Sequence, residues 1–430
     1  MTPPLPGTTR SGHALLIQGG IPLAGEVEVS GAKNAALPLL AASLLARDPV
    51  TLHRVPRIVD VEVLLEILEH LGTRWNWTGP SSLTLHTPEL VSVSPPPALV
   101  LRMRASFELL GPILGREGEA ELTFPGGCRL GPRPVDQHIR AMRAIGVHVT
   151  EIEGSVTAAY RQPLAGRARF QIRTVGGTRN AIMAATLNAT EVVLENASTE
   201  PEVLALVDFL NQLGARIFVT GDTITVCGVG ALSGGEYNVI PDRMEAGTYL
   251  LAAAATRGRV TLHGVEPTHL APVVDQLWRA GASVKLVAPG TLEMDARSQA
   301  LSPLFVTAEP YPGFPTDLHP QMAAFLATVP GESRIVDRVF PQRTAYLPEL
   351  ARLGARLTWE SDLADFRIGG GPLSGGEAHV TDLRAGGALV IAALAATGTS
   401  AIAGVEHLER GYQDLERKLA TLGATLSLAA

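Results

Sequence analysis

The chain has 430 residues, a hydrophobic fraction of 46% and a formal net charge of −7. This length allows two or three domains with large cores, and the acidic balance excludes the usual nucleic-acid-binding protein, which is basic. With only two cysteines there is no disulfide framework, so we expect a protein of the reducing cytoplasm.

One short motif recurs along the whole chain: a glycine ends an amphipathic helix, and an apolar strand follows. Its six glycines lie 67 to 74 residues apart, and glycine is the residue that most often ends a helix in the left-handed conformation. This period is too long for the usual solenoids, so each repeat is expected to be a small α/β unit. The six copies are Leu71-Gly72-Thr73, Ile145-Gly146-Val147, Leu213-Gly214-Ala215, Ala280-Gly281-Ala282, Leu353-Gly354-Ala355 and Leu422-Gly423-Ala424.

Each repeat also carries an alanine-rich helix that is apolar on almost all faces and is followed by a short strand. Such a helix is buried, and none of these is long enough to span a bilayer. Three repeats form one domain, so the sequence predicts an α/β (α+β) protein of two similar domains. The predicted buried helices are Ala35 to Ala46, Ala105 to Leu114, Ala181 to Leu187, Ala246 to Thr256, Gln321 to Thr328 and Ala388 to Ala396.

The second repeat contains an extra loop around Cys128. The stretch from Pro125 to Gly146 takes 21 residues, whereas its counterparts take 15 to 18. Arg129 and Arg133 favour the thiolate of Cys128, and the glycines before it let the backbone approach a ligand. A loop lengthened within a repeating scaffold often carries function, although a surface turn with an incidental cysteine is the alternative.

Cations stand at equivalent places, where the buried helices begin. A lysine or arginine there opposes the helix dipole, so it needs another reason to be present. Either these are solvated surface cations, or they gather an anionic ligand at the helix ends. The cations are Lys33, Arg104, Arg243 and Arg384, whereas Asp242 and Asp382 at similar places are expected to be N-caps.

Cofactor and metal sites have little support in the sequence. The stretch Val175-Gly176-Gly177-Thr178 lacks the spacing and the lysine of nucleotide-binding loops. Cys128 and His138 have no second pair to complete a zinc site, so no metal or cofactor is expected and His138 is interpreted as structural. Cys227 alternates as a strand residue and is expected to lie in the core.

Eight motifs together resemble the family of UDP-N-acetylglucosamine enolpyruvyl transferases, and they span the length of the chain. The resemblance implies two similar domains, each of three βαβαββ units around buried helices, joined by a double crossing of the chain. Residues 1–31 with 242–430 would form one domain, and residues 32–241, with the Cys128 loop, the other. The motifs are Ser30 to Pro38, Met103 to Ser106, Pro125 to Cys128, Arg133 to Asp136, Pro241 to Arg243, Phe314 to Asp317, Asp382 to Ala385 and Arg410 to Tyr412.

The resemblance implies transfer of the enolpyruvyl group of phosphoenolpyruvate to the 3′-hydroxyl of UDP-N-acetylglucosamine, with release of phosphate. This is the first committed step of peptidoglycan synthesis, and the family's members are inhibited by fosfomycin. We expect a monomer whose partners are these two substrates, without cofactor, nucleic acid or membrane. The alternatives are an enolpyruvylshikimate-phosphate synthase, against which the Pro-Gly-Gly-Cys loop argues, and a non-catalytic module that binds nucleotide sugars.

The resemblance also implies roles for individual residues. Cys128 would protonate the methylene carbon, and Asp317 would take the proton of the sugar hydroxyl, with helix capping as the alternative role of Asp317. The side chains on phosphoenolpyruvate would be Lys33 and Asn34, with Arg133 and Arg410 on the phosphate and Arg384 on the carboxylate. The nucleotide-sugar site would comprise Arg104, Arg133, Pro134, Val135, Asp136, Gln137, Ile172, Arg173, Thr174, Val175 and Val339, with Arg343 near the reacting groups.

Overall fold

The computed structural model describes residues 12–125, 135–298, 300–359 and 363–429. The chain divides into two compact units. The first unit comprises the described residues up to Ser30 and those from Pro241 onwards, and the second unit comprises the described residues from Gly31 to Ile240. The chain therefore crosses between the units twice. Both units mix helices and sheets, so the predicted α/β class is confirmed.

The strands are short and are distributed along the whole chain. They are β1 (Ala14–Gln18), β2 (Ala24–Glu28), β3 (Val50–His53), β4 (Arg74–Trp77), β5 (Leu83–His86), β6 (Glu119–Thr123), β7 (His148–Ile152), β8 (Ser155–Ala159), β9 (Leu164–Arg169), β10 (Ala189–Glu195), β11 (Arg216–Thr220), β12 (Thr223–Cys227), β13 (Gly235–Asn238), β14 (Arg259–His263), β15 (Ser283–Ala288), β16 (Thr291–Asp295), β17 (Phe305–Ala308), β18 (Gly331–Asp337), β19 (Arg356–Trp359), β20 (Asp365–Gly370), β21 (Glu377–His379), β22 (Thr399–Ala403) and β23 (Thr425–Ala429).

The helices alternate between buried ones and amphipathic ones. They are α1 (Lys33–Ala42), α2 (Val59–His70), α3 (Pro97–Val100), α4 (Leu110–Glu117), α5 (Asp136–Ala144), α6 (Val175–Thr186), α7 (Pro201–Gln212), α8 (Arg243–Ala255), α9 (Pro267–Ala280), α10 (His319–Leu326), α11 (Leu347–Arg352), α12 (Leu383–Ala395) and α13 (Leu415–Thr421). Short 3-10 helices occupy Ser43–Leu45, Arg104–Leu109, Thr316–Leu318 and Val405–Arg410. No helix in these described ranges is both long and apolar enough to cross a membrane.

The repeating glycines behave as predicted. All six have positive φ angles, between 84° and 104°, at the ends of the amphipathic helices. Side chains with a Cβ rarely adopt this conformation, which explains why glycine recurs there. The strands β4, β7, β11, β15, β19 and β23 follow these turns, so the predicted order of elements is confirmed in each repeat.

The sheets show why the chain has to cross between the units. Parallel strands need a long connection. In each unit, one parallel pair joins a strand that lies before a crossing to a strand that lies far away in the sequence. Strand β2 precedes α1 in the sequence but pairs in parallel with β14, which follows α8. Strand β13 precedes α8 but pairs in parallel with β3, which follows α1. Strand β1 lies antiparallel between β22 and β23, so the N-terminal strand completes the last sheet of the first unit.

The buried helices form the core of each unit. In the first unit, α8, α10 and α12 pack on one another; in the second, α4 packs on α6. Small residues allow this close approach: a Cβ at Gly387 in α12 would lie 3.1 Å from Nε2 of Gln321 in α10, and one at Gly111 in α4 would lie 2.5 Å from the carbonyl oxygen of Asn180 in α6. Every residue of α8 is buried, as its apolar pattern predicts.

Several predicted helix boundaries are wrong; α12, for example, begins at Leu383 rather than at Ala388, and α1 ends at Ala42 rather than at Ala46. Two of the differences involve polar residues. Helix α6 begins at Val175 rather than at Ala181, because Thr174 caps it by accepting the N–H of Gly177 (3.3 Å). The predicted helix from Ala105 to Leu114 is a 3-10 helix followed by α4. In both places polar residues enter the core because they find hydrogen-bond partners there, which apolar periodicity does not reveal.

Candidate active site

An aspartate immediately precedes each of the buried helices α8 and α12 of the first unit. Asp382 Oδ1 accepts the N–H groups of Arg384 (2.9 Å) and Ala385 (3.2 Å). Asp242 caps α8 in the same way. The predicted N-cap role of both aspartates is therefore confirmed.

Asp317 lies in the 3-10 helix Thr316–Leu318, immediately before α10, but it caps neither helix. Its Oδ1 accepts a hydrogen bond from Nη2 of Arg343 (3.0 Å), and its Oδ2 accepts from Nη2 (2.8 Å) and Nε (3.1 Å) of Arg384. The side chain of Asp317 is 25% exposed, whereas those of Arg343 and Arg384 are 2% and 7% exposed. The Asp317 carboxylate, which solvent can reach, is thus held between two buried cations. The alternative role of Asp317 as a helix cap is wrong.

The carboxylate of Asp317 is one of the groups that keep Arg384 charged. Burial is the largest single influence and acts to lower the pKa of Arg384, but the neighbouring groups, with Asp317 foremost and then Tyr412 and Asp242, together raise the pKa above its usual value. Arg384 therefore remains a guanidinium cation in the interior. The arrangement explains how an arginine can begin a buried helix against its dipole.

Arg343 reaches the same carboxylate from the loop after β18. Its Nη1 donates to the carbonyl oxygen of Thr316, and its guanidinium carbon lies 5.2 Å from the ring centroid of Phe340. A turn in which the N–H of Arg343 bonds the carbonyl of Phe340 (3.0 Å) directs the side chain inward past Pro341-Gln342. Arg343 therefore lies beside Asp317, and its place near the reacting groups stays a prediction.

Two further predicted residues of the first unit occupy neighbouring elements. The N–H of Val339 donates to Oδ1 of Asp337 (2.8 Å) at the end of β18. Arg410 ends the 3-10 helix Val405–Arg410, which packs against α12. The fold thus brings Asp317, Arg343 and Arg384 into direct contact and places Arg410 on an element that touches the helix of Arg384.

In the second unit, Lys33 begins α1 and forms a buried ion pair. Its Nζ lies 2.6 Å from Oδ2 of Asp60, and the two side chains are 13% and 4% exposed. The carbonyl oxygen of the next residue, Asn34, accepts a hydrogen bond from Nη1 of Arg179 (2.7 Å). The turn that presents Lys33 and Asn34 is therefore fixed from both sides.

Arg179 and Glu108 form a second buried ion pair, which the sequence analysis did not single out. Their side chains are 9% and 10% exposed, and Nη2 of Arg179 bonds Oε1 of Glu108. Burial raises the pKa of Glu108, and the cations of Arg179 and Arg104 oppose that shift. Both residues are charged positions in largely buried helices, and this is the sequence feature that could have indicated a buried pair.

We expect Glu108→Gln to destabilise the second unit, because it leaves Arg179 buried without a carboxylate. Breaking a buried pair costs about 3 kcal/mol, which lowers Tm by about 6–12 °C for a unit of this size. Differential scanning calorimetry measures the shift. Glu309→Gln is the matched control, since the pair of Glu309 with Arg338 is exposed and worth at most about 1 kcal/mol. Equal shifts in the two variants would contradict this prediction.

The described parts of two predicted nucleotide-sugar segments, residues 135–137 and 172–175, lie close to each other in the second unit. Gln137 accepts the N–H of Gln171 (3.1 Å) and donates to Asp136 (2.8 Å), which joins the start of α5 to the segment before α6. In that segment Ile172 is 70% exposed. Arg173 donates to Asn196 and Asp222. The remaining members of the predicted set that the structure describes here are Arg104, Val135, Thr174 and Val175.

Three predicted site residues, Cys128, Arg133 and Pro134, lie outside the described residues. Their roles stay predictions. The interval between β6 and α5 is residues 124–135, and the corresponding intervals of the other repeats are residues 54–58, 196–200, 264–266, 338–346 and 404–414. The interval that contains Cys128 is the longest of the six, and the last one, which includes a 3-10 helix, is nearly as long.

His138 is buried, in agreement with its interpretation as a structural residue, whereas Cys227 does not lie in the core as expected. Burial, with the nearby charges of Arg104 and Arg179, lowers the pKa of His138 to about 3, and its ring lies edge-on to Phe107. His138 is therefore a neutral, buried residue. Cys227 is half-buried rather than in the core, because β12 turns its alternate residues inward. Within the described ranges, no group of three or more histidines, cysteines or carboxylates could hold a metal.

Comparisons with known proteins cover nearly the whole chain. The family model described as EPSP synthase (3-phosphoshikimate 1-carboxyvinyltransferase) matches residues 17–419. A relative from Deinococcus deserti is 49% identical over 412 residues, and one from Thermus thermophilus is 50% identical over 417 residues. The matches cover 96% of both chains in the first case and 97% in the second. Both relatives are named UDP-N-acetylglucosamine 1-carboxyvinyltransferase.

Solved structures share the fold. The enolpyruvyl transferase NikO from Streptomyces tendae superposes with a TM-score of 0.86 at 27% identity, covering 97% of this chain and 99% of its own. An EPSP synthase from Acinetobacter baumannii gives a TM-score of 0.76 at 19% identity, with 97% and 100% coverage, and this likeness concerns the fold alone. The expected fold of paired three-repeat units is therefore confirmed.

Proposed function

The chain belongs to the EPSP synthase family of carboxyvinyltransferases, and we propose that it transfers the enolpyruvyl group of phosphoenolpyruvate to the 3′-hydroxyl of UDP-N-acetylglucosamine. Phosphate is the second product, and the reaction is the first committed step of peptidoglycan synthesis. The observation that carries the proposal is Asp317, a partly exposed carboxylate held between the cations of Arg343 and Arg384. The proposal includes the two units as its domains, a monomeric state and a cytoplasmic location.

The chemistry needs a base, an acid and cations. In the addition step the base takes the proton of the sugar hydroxyl, the oxygen bonds C2 of phosphoenolpyruvate, and the acid gives a proton to C3. In the elimination step the phosphate leaves C2 with the electrons of its C–O bond, and C3 loses a proton. We assign the base to Asp317 and the acid to Cys128. Buried arginines suit a substrate that carries both a carboxylate and a phosphate.

The contact between Arg384 and Asp317 places the assigned base beside the assigned carboxylate-binding cation. A substrate carboxylate that bonds Arg384 would compete for the two N–H groups that Asp317 Oδ2 accepts from that guanidinium (2.8 Å and 3.1 Å). Binding of phosphoenolpyruvate is thereby coupled to the release of Asp317 from one of its two cations.

Phosphate release from phosphoenolpyruvate with each candidate acceptor tests the proposal. We expect release with UDP-N-acetylglucosamine and none above background with shikimate 3-phosphate. Release only with shikimate 3-phosphate would support the enolpyruvylshikimate-phosphate synthase alternative. Binding of UDP-N-acetylglucosamine without phosphate release would support the non-catalytic module.

The role of Cys128 gives a separate prediction. We expect fosfomycin, an epoxide that resembles phosphoenolpyruvate, to label one cysteine, because cations near Cys128 favour its nucleophilic thiolate. Mass spectrometry after treatment should place the adduct on the Cys128 peptide, with half-buried Cys227 as the internal control. Cys128→Ser should lose most turnover, whereas Cys128→Asp, which keeps a proton donor, should stay active and resist the drug. Labelling of Cys227 instead, or no labelling, would refute the assignment.

A further inference from the structure

Asp337, the last residue of β18, is a fully buried carboxylate with four hydrogen-bond donors. Its Oδ1 accepts the N–H groups of Val339 (2.8 Å) and Phe340 (2.9 Å). Its Oδ2 accepts from the hydroxyl of Thr316 (2.6 Å) and from Nδ1 of His319 (2.7 Å). One carboxylate therefore ties the loop after β18 to the start of α10.

These two segments carry Asp317 and Arg343. Thr316 immediately precedes Asp317, and the carbonyl of Thr316 accepts from the Arg343 guanidinium. The N–H of Arg343 in turn bonds the carbonyl of Phe340 (3.0 Å). Hydrogen bonds thus run in a closed ring from Asp337 through Thr316, Arg343 and Phe340 back to Asp337. The ring fixes the backbone on which the Asp317 carboxylate stands.

His319 provides the fourth donor, and the aromatic rings around it fix the position of its imidazole. Its ring is fully buried, with its centroid 5.5 Å from that of Tyr346 and 6.2 Å from that of Phe366. Burial lowers the pKa of His319, which favours the neutral ring that donates through Nδ1. Burial acts to raise the pKa of Asp337, but the bonds from His319 and Thr316 lower it to about 2. Asp337 is therefore ionised over the working range.

We propose that Asp337, with His319 as its support, is a positioning residue that sets the Asp317 carboxylate at the angle needed for proton removal. The inference rests on the proposed role of Asp317 as the base. Asp337 is too deeply buried to meet a substrate, so any effect on turnover has to pass through the segments it holds. A misplacement of about 1 Å at a reacting group can cost about a hundredfold in rate.

The test measures kcat for phosphate release in variants that keep the shape of the side chains. Asp337→Asn replaces one acceptor oxygen by an N–H donor, and we expect kcat to fall by about tenfold to a hundredfold. Thr316→Val removes a single bond, and about a threefold to tenfold fall is expected. His319→Asn keeps a donor at the position of Nδ1 and should retain more activity than His319→Leu. Asp365→Asn, which breaks an exposed pair with Arg334, is the control and should keep wild-type kcat.

A double-mutant cycle separates positioning from plain stability. If Asp337 acts through Asp317, then Asp337→Asn should lower kcat little further in an Asp317→Asn background. Full additivity, or unchanged kcat in Thr316→Val with its melting temperature intact, would overturn the inference. Should Asp337→Asn fail to fold, Thr316→Val and its double mutant with Asp317→Asn decide the question. A wild-type protein without phosphate release would overturn the proposed function as well, whereas an active wild type with unaffected Thr316→Val would overturn this inference alone.

Discussion

Replacing Asp317 by asparagine is expected to lower kcat by about a hundredfold or more, because the amide cannot take the proton of the sugar hydroxyl. Asparagine has nearly the same shape, so substrates should still bind. Steady-state rates of phosphate release give kcat, and the fall should appear at saturating concentrations of both substrates. An unchanged kcat would show that Asp317 is not the base.

The structure changes the stability expected of this variant. A cap would be replaced by asparagine without loss, but Asp317 instead balances the charges of Arg343 and Arg384, which are almost fully buried. We therefore expect Asp317→Asn to melt at a lower temperature than the wild type and to bind anions at these arginines. The matched control is Asp295→Asn, which removes a carboxylate bonded by Arg297 on the exposed surface. The control should leave kcat unchanged and Tm nearly so.

Replacing Arg384 by lysine is expected to lower kcat/KM for phosphoenolpyruvate by about a hundredfold. Arginine offers a planar fork that bonds a carboxylate through two N–H groups, whereas lysine offers one point charge on a flexible chain. Loss of about 3 kcal/mol of charged hydrogen bonding corresponds to about this factor. The measurement varies phosphoenolpyruvate at saturating UDP-N-acetylglucosamine.

Arg338→Lys serves as the control for this substitution. Arg338 lies on the loop beside Val339 but is 66% exposed and pairs with Glu309 at the surface. Its replacement should leave kcat/KM within about twofold, since exposed pairs contribute little. Equal losses in the two variants would mean that a general change of charge, and not the carboxylate contact of Arg384, lowers the rate.

The sequence alone determined the repeating architecture. The glycine turns, the buried helices and the order of strands all depend on local rules: glycine tolerates positive φ, and a helix that is apolar on all faces has to be buried. The capping roles of Asp242 and Asp382 are local in the same sense, since the bonded N–H groups lie two and three residues away. Such contacts can be predicted because chain connectivity brings the partners together.

Only the tertiary structure decided which charges pair in the interior. The partners of Asp317 lie 26 and 67 residues away, and Arg179 and Glu108 are 71 residues apart. Periodicity marks these charges as unusual in apolar segments but does not say whether solvent, a ligand or another side chain satisfies them. Sequence therefore left Asp317 open between base and cap, and it did not reveal the ring around Asp337. The packing of α10 and α12, together with the loop after β18, settled these contacts, because a buried charge is stable only where the fold supplies its partner.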